Sequence, residues 1–295
     1  MGVTMMEVTI TEVTMPQIID ILMITYNRAS YTEVALERLL DTCDENMRVW
    51  LWHNGDHKET LDLVQRLSKH KACYKFHHSV ENKKLTEPTN WMWAEADGDF
   101  ITKVDDDCLM PYGWADTLRK AHKDNPNFGV IGCWRFPDED FVSEEANKKI
   151  AEFKGNHQLM RNCWVEGSGY LMKRECVTKQ GLLRQGQSFP AYCIDLAKKG
   201  YVNGWYYPFL YQDHFDDPRS PYSQLKSDED MMRWAPLSAI KNGVTSIVQW
   251  EAQLKRSALL VQTAPYDVKY YSGWRELRTK VLRRLKKILG KSSYW

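Results

Sequence analysis

Between residues 18 and 104 the chain repeats one unit: a short β-branched apolar run, a polar turn, then apolar residues at helical spacing. Residues 18–26 (IIDILMITY) read as a strand that breaks at Asn27-Arg28, and residues 31–40 as a helix. Residues 48–52 form a second strand ending at His53-Asn54-Gly55-Asp56, followed by a helix over 60–68. A strand at 73–78, a helix at 88–96, the turn Asp97-Gly98-Asp99 and a strand at 100–104 complete the rhythm. Strands alternating with helices predict an α/β fold with a doubly wound, mostly parallel sheet, whose ligands sit at the carboxyl ends of the strands. Every polar turn just named falls on that edge.

Beyond Pro111 the pattern loosens. A helix is expected near 114–123, a strand near 129–134, a mobile polar loop over 138–156, a strand over 164–173, a helix over 190–199 and an aromatic strand over 201–211. No repeat or low-complexity linker divides the chain. The organisation expected is an N-terminal extension (1–17), one α/β domain (18–235) and a helical C-terminal extension (236–295). In residues 273–291, Trp274, Leu277, Val281, Leu282, Leu285, Ile288 and Leu289 fall on one helical stripe. Eight Lys or Arg against one Glu give this stretch +7, leaving −6 for the rest of a chain whose net charge is +1. Two readings stand for it: a helix lying on an anionic membrane surface, or a terminal helix docked on its own domain.

A near-neutral balance excludes a globally basic nucleic-acid binder, and 43% apolar against 27% charged residues excludes a disordered chain. Seven cysteines, at 43, 73, 108, 133, 163, 176 and 193, form no C-x-x-C pair and read as reduced thiols. With no basic n-region before Arg28 and no apolar run of ~20 residues, the expected location is cytoplasmic, with peripheral attachment to the inner face of a membrane as the one refinement.

The densest chemistry lies at Val104-Asp105-Asp106-Asp107-Cys108, three consecutive carboxylates closing an apolar strand. Such a cluster needs a cation to stay ionised, and hard oxygen donors beside phosphates suit Mg²⁺ or Mn²⁺. A solvated acidic turn is the competing reading. Strand alternation directs Asp105 and Asp107 to one side and Asp106 to the other. Among 12 Trp and 15 Tyr, those at 91, 93, 134, 164 and 205–207 lie in segments able to rim a ligand cleft, although most are expected in the core. There is no G-x-G-x-x-G, H-E-x-x-H or G-x-S-x-G motif.

Over residues 18–217 the chain resembles the nucleotide-sugar glycosyltransferases of the GT-A fold, particularly family 2. ILMITYNR (21–28) is similar to that family's first strand and its nucleotide-cradling turn. His53-Asn54-Gly55-Asp56 resembles its D-N-G-S element, with His53 in the acidic place. Gly98-Asp99-Phe100-Ile101 running into VDDDCLMPYGW (104–114) resembles its G-D-Y-I, D-x-D and P-x-G-W series. The resemblance implies a metal-dependent transfer of a sugar from a nucleoside-diphosphate donor to a hydroxyl acceptor: a glycan, a lipid-linked glycan or another hydroxyl compound. It implies Thr25, Tyr26, Asn27, Arg28, Asn54, Asp105 and Asp106 at the nucleotide-sugar, and Asp107, Asp105 and His214 at an Mn²⁺ or Mg²⁺ ion. Residues 167–174 are similar to the family's glycine-led acceptor strand, and Asp195-Leu196 with Lys199-Gly200-Tyr201 to its D-L…G-Y helix end.

One departure stands out. The family's E-D pair, which carries the general base of inverting members, falls here on Tyr192-Cys193. Asp213 and Glu166 are the remaining candidates; without either, the enzyme retains configuration and relies on the substrate's own diphosphate. Rival readings are an inactive carbohydrate-binding or scaffold protein, a transferase acting on nucleic acid, and a sugar-1-phosphate nucleotidyltransferase. The last would carry a glycine-rich, Arg-containing loop where this chain has Thr25-Tyr26-Asn27-Arg28.

Overall fold

The computed structural model describes residues 17–274 together with Leu277 and Val281. The first half follows the sequence rhythm: β1 (Ile19–Thr25), α1 (Ala29–Asp41), β2 (Met47–Asn54), α2 (Lys58–Leu67), β3 (Cys73–Ser79), α3 (Thr86–Glu95) and β4 (Phe100–Lys103). Then come β5 (Cys108–Leu109), α4 (Trp114–Asp124), β6 (Phe128–Gly132), α5 (Ser143–Ala146), β7 (Ile150–Phe153) and β8 (His157–Asn162). The chain continues with β9 (Tyr170–Lys173), α6 (Arg174–Gln180), α7 (Phe189–Lys198), β10 (Val202–Tyr207) and β11 (Asp213–His214). Three helices follow: α8 (Asp228–Trp234), α9 (Leu237–Lys241) and α10 (Ile247–Thr263).

One sheet runs in the order β3-β2-β1-β4-β9-β6-β10-β8-β7, and β5 and β11 form a separate ribbon. The β1–β2, β2–β3, β1–β4 and β6–β10 pairs are parallel, whereas β9, wedged between β4 and β6, is antiparallel to both. The winding reverses between β1 and β4, so a crevice opens beyond Thr25 and Lys103, where open α/β sheets hold ligands. β1 is buried along its whole length because both faces are covered. Its side chains alternate: Ile19, Ile21 and Met23 pack with α1 and α4 (Leu36, Leu39, Trp114, Leu118), while Leu22 and Ile24 pack with α3 and α7 (Met92, Trp93, Tyr192, Leu196).

Asp20 interrupts that apolar run at zero exposure, and its surroundings explain why the fold tolerates it. Its carboxylate accepts two bonds from Arg48 at 2.8 Å, one from Trp50 Nε1 at 2.7 Å and one from the Gly98 amide at 2.8 Å. A buried carboxylate with every lone pair engaged joins β1, β2 and the turn before β4. That turn, Asp97-Gly98-Asp99, therefore lies at the amino edge of the sheet and not at the carboxyl edge expected of it.

Two expectations fail beyond Pro111. Residues 138–156 are not a free loop: they hold a 3₁₀ turn (Asp138–Asp140), α5 and β7. Their order comes from α10, far along the chain. Gln262 accepts from the Val142 amide at 2.7 Å and donates to Asp140 O at 2.9 Å, and buried Lys149 donates to Val261 O at 2.7 Å. In the predicted strand over 164–173 only β9 is extended, because Gly169 turns the chain in the left-handed region at φ +63°. The seven cysteines are free thiols. Most of the basic stretch over 273–291 lies outside the described residues; of its apolar stripe Trp274, Leu277 and Val281 are exposed.

Candidate active site

The carboxyl ends of β1, β2 and β4 bring the sequence candidates to one crevice. β4 ends at Lys103, so the Asp triplet lies in the turn that follows rather than in a strand. The alternation expected of the three carboxylates therefore does not apply. Asp106 and Asp107 turn together toward Arg28, whereas Asp105 pairs with Lys103 and its amide donates to Ser168 Oγ at 2.9 Å.

Arg28 caps α1 from the turn after β1, just past Asn27 in the left-handed region at φ 52°. Its guanidinium reaches three acids: Nη2 donates to Asp107 Oδ2 at 2.8 Å and Asp106 Oδ1 at 3.2 Å, and Nη1 donates to both oxygens of Asp216 at 3.0 and 3.1 Å. Asp106 also accepts from the Tyr26 amide at 3.3 Å and from Thr32 Oγ1 at 3.2 Å. All three carboxylates are largely buried. Burial and the Asp107 charge push the Asp216 carboxyl well up, and burial raises that of Asp106. At Asp107 burial acts in the same sense, but His214 and Arg28 outweigh it and hold that carboxyl below the usual range. Asp107 is thus the committed anion of the cluster.

The β5–β11 ribbon pairs His214 with Cys108, and the Phe215 amide donates to Asp107 O at 2.8 Å. One ligand atom from each of Asp107, Cys108 and His214 lies within 4.8 Å of the others. Cys108 Sγ is 3.5 Å from Asp107 Oδ1, so the two Asp107 oxygens face different partners. His214 Nδ1 is buried with no hydrogen-bond partner, and burial lowers the imidazole below its ordinary range. A carboxylate beside a buried imidazole that has an unpartnered nitrogen is a donor set that fits a divalent cation such as Mn²⁺. Cys108 is not needed for it: burial pushes its thiol well above the ordinary value. Asp105, assigned to the same ion from the sequence, lies outside this group of ligand atoms.

On the β2 side, Thr25 Oγ1 is 2.8 Å from His53 Nδ1, and burial lowers the His53 imidazole to about 4. Asn54 is a scaffold residue: its Oδ1 accepts from Trp52 Nε1 and the Lys83 amide, and its Nδ2 donates to Lys84 O. Tyr26 is exposed at the mouth. On the β9 side Arg135 clamps Glu166 with two bonds, 2.6 and 2.9 Å, and both lie close enough to His214 to shift its imidazole in opposite senses. Asp213 precedes His214 on β11, so alternation sends its side chain to the other face, toward Ser220 and Lys226. Tyr192 and Cys193, at the place of the family's acidic pair, are fully buried in the core. Trp93, Trp134 and Trp205 are also core residues, while Trp91 and Trp164 are only partly buried.

Sequence reasoning passed over Asp216, Arg135, Ser168 and Thr32 as site residues. Asp216 sits beside a candidate histidine, yet only the fold brings it to Arg28, 188 residues away. The C-terminal helices lock it there, since Trp250 Nε1 of α10 donates to Asp216 O at 2.6 Å.

An open, mostly parallel sheet with an acidic cluster beyond its switch point defines a GT-A-type glycosyltransferase. The model of the family described as glycosyl transferase family 2 matches residues 20–184, more than half of the chain, and the chain belongs to that family. Among solved structures, the mannosyltransferase PcManGT from Pyrobaculum calidifontis, in complex with GDP-Man and Mn²⁺, is 16% identical with a TM-score of 0.57. The match covers 92% of this chain and 81% of that one. S. aureus TarS 1–349 in complex with UDP-GlcNAc is 12% identical, with 64% and 55% covered and a TM-score of 0.48. No curated protein matches significantly. At 16% identity the likeness to the mannosyltransferase shows the fold alone.

Proposed function

We propose that this glycosyltransferase is metal-dependent and transfers a sugar from a nucleoside-diphosphate donor to a hydroxyl acceptor. The observation that carries the reading is the buried His214, whose Nδ1 has no hydrogen-bond partner, with a ligand atom within 4.8 Å of one from Asp107. These two residues would hold Mn²⁺ or Mg²⁺, and the ion when bound would offset the negative charge that grows on a departing diphosphate. The mannosyltransferase named above, solved with GDP-Man and Mn²⁺, supports the choice of donor class and metal.

In this reading Thr25, Tyr26, Asn27 and Asn54 form the nucleotide side of the crevice, with Arg28, Asp105 and Asp106 toward the diphosphate and sugar. Glu166 is the better placed general base. It is held in one orientation by Arg135 and its charge acts on His214, while Asp213 is directed away from the ion site. Its task is to take the proton of the acceptor hydroxyl. Asp213 remains the second candidate.

For the acceptor we favour a lipid-linked or membrane-proximal glycan. Supporting this are the exposure of Trp274, Leu277 and Val281 at 84%, 51% and 47%, and the +7 charge that the sequence carries over 273–291. Three exposed apolar residues in a stretch of dense basic charge match an anionic membrane surface better than a helix docked on its own domain. Among the described residues no helix is long and apolar enough to cross a membrane. Release of GDP or UDP from GDP- or UDP-sugars in the presence of Mn²⁺ tests the donor assignment; no release with either nucleotide class contradicts it.

A further inference from the structure

We infer that Arg28 is the resident counter-ion of the acid cluster and competes with the divalent cation for it, so that metal binding is tight only once a diphosphate draws the guanidinium away. The inference rests on the assignment of Asp107 and His214 as the ion site.

Both terminal nitrogens of Arg28 are spent on carboxylates, at 2.8 and 3.2 Å for Nη2 and 3.0 and 3.1 Å for Nη1. Burying three acids together without a cation would be costly, and Arg28 is the cation that makes the arrangement tenable. The competition is local. Asp107 gives Oδ2 to Arg28, while its Oδ1 faces Cys108 on the His214 side. One carboxylate therefore serves a guanidinium on one edge and the ion site on the other. A divalent ion there meets a fixed positive charge across a single carboxylate and repels it.

Arg28 is also placed to leave. Its side chain is 32% exposed while its partners Asp106, Asp107 and Asp216 are 8–10% exposed, so Arg28 is the most solvent-accessible member of the cluster. It springs from the turn beyond β1, at the mouth of the crevice where the nucleotide is proposed to enter. Its planar fork matches two phosphate oxygens as well as it matches a carboxylate. A diphosphate therefore offers Arg28 an alternative partner, and the acids it releases become available to the metal. By linkage, whatever factor the nucleotide adds to metal affinity, the metal adds to nucleotide affinity.

The test is Mn²⁺ binding followed by electron paramagnetic resonance on the full chain, with Mn²⁺ alone and then with GDP or UDP. For the wild-type protein the expected result is weak binding of Mn²⁺ alone, tightened tenfold or more by one of the nucleotides. Arg28→Gln should bind Mn²⁺ alone at least tenfold more tightly than wild type and gain little more from nucleotide. Arg28→Lys, which keeps a charge but loses the fork, should fall between them. Should Arg28→Gln prove too unstable without metal, Arg28→Lys and the rise in Tm of Arg28→Gln on adding Mn²⁺ carry the comparison. Wild-type or weaker affinity for Mn²⁺ alone in both variants overturns the inference. Asp107→Asn separates the two levels: if it leaves Mn²⁺ affinity untouched in every background, the ion-site assignment itself has failed.

Discussion

At the residue scale the site turns on how single carboxylates are partnered. Glu166 is gripped by Arg135 beside His214, whereas Asp213 faces the opposite side of β11. Glu166→Gln should therefore lower kcat by about 10²–10⁴-fold with little change in donor-dependent thermal stabilisation, and Asp213→Asn should stay within a few-fold of wild type. Steady-state kinetics on both variants decide between them; a larger loss in Asp213→Asn reverses the assignment. The triplet of acids was conspicuous in the sequence, but the direction of each was not. Strand alternation failed there because β4 stops at Lys103, and the turn that follows obeys its partners, Arg28 and Lys103, instead of a pleat. Asp216 was illegible as a site residue for a different reason: its tie to Arg28 is a product of tertiary structure.

At the scale of elements, the first half of the sheet was readable because β1, β2 and α1 to α3 are each specified by local apolar spacing and by breaks such as Gly55-Asp56, although β2 runs on through His53 and Asn54. The segment over 138–156 was not, since its partners lie on α10. The join between β1 and β2 depends on Asp20. Asp20→Ala leaves the Arg48 and Trp50 donors behind and should cost about 3–5 kcal/mol in chemical denaturation; a loss under 1 kcal/mol would show that the pair is dispensable. The α4–β9 contact carries a pH signature. His122 Nε2 donates to Leu171 O at 3.0 Å, and burial lowers its imidazole to about 3. The unfolded chain takes up that proton first, near the ordinary value of 6.5, so stability falls as pH drops from about 6.5 toward 3, by at most ~1.4 kcal/mol per pH unit for this group. His53, lowered to about 4, acts in the same direction. Tm measured against pH should show a shallower acid limb in His122→Gln; an unchanged limb removes His122 from the account.

For the molecule as a whole, the C-terminal helices are part of the site's support. α10 contributes Ala258 and Val261 to the core and fixes Asp216 through Trp250. Exposed Met232, Leu237 and Val248 lie on the same helical region, ahead of the exposed Trp274. Flotation with vesicles containing anionic phospholipid should recover the full chain and lose it on truncation after residue 272 or at high salt, with neutral vesicles recovering little. Equal recovery of the truncated chain, or stronger binding to duplex DNA than to vesicles, would contradict the membrane reading.

The central claim is that Asp107 and His214 hold a divalent ion against a nucleoside diphosphate. Thermal unfolding with GDP and with UDP, each with and without Mn²⁺, tests it most directly. One nucleotide should raise Tm only when Mn²⁺ is present, and Asp107→Asn and His214→Ala should each abolish that rise. The same metal-dependent rise in both variants would place the ion elsewhere and contradict the account.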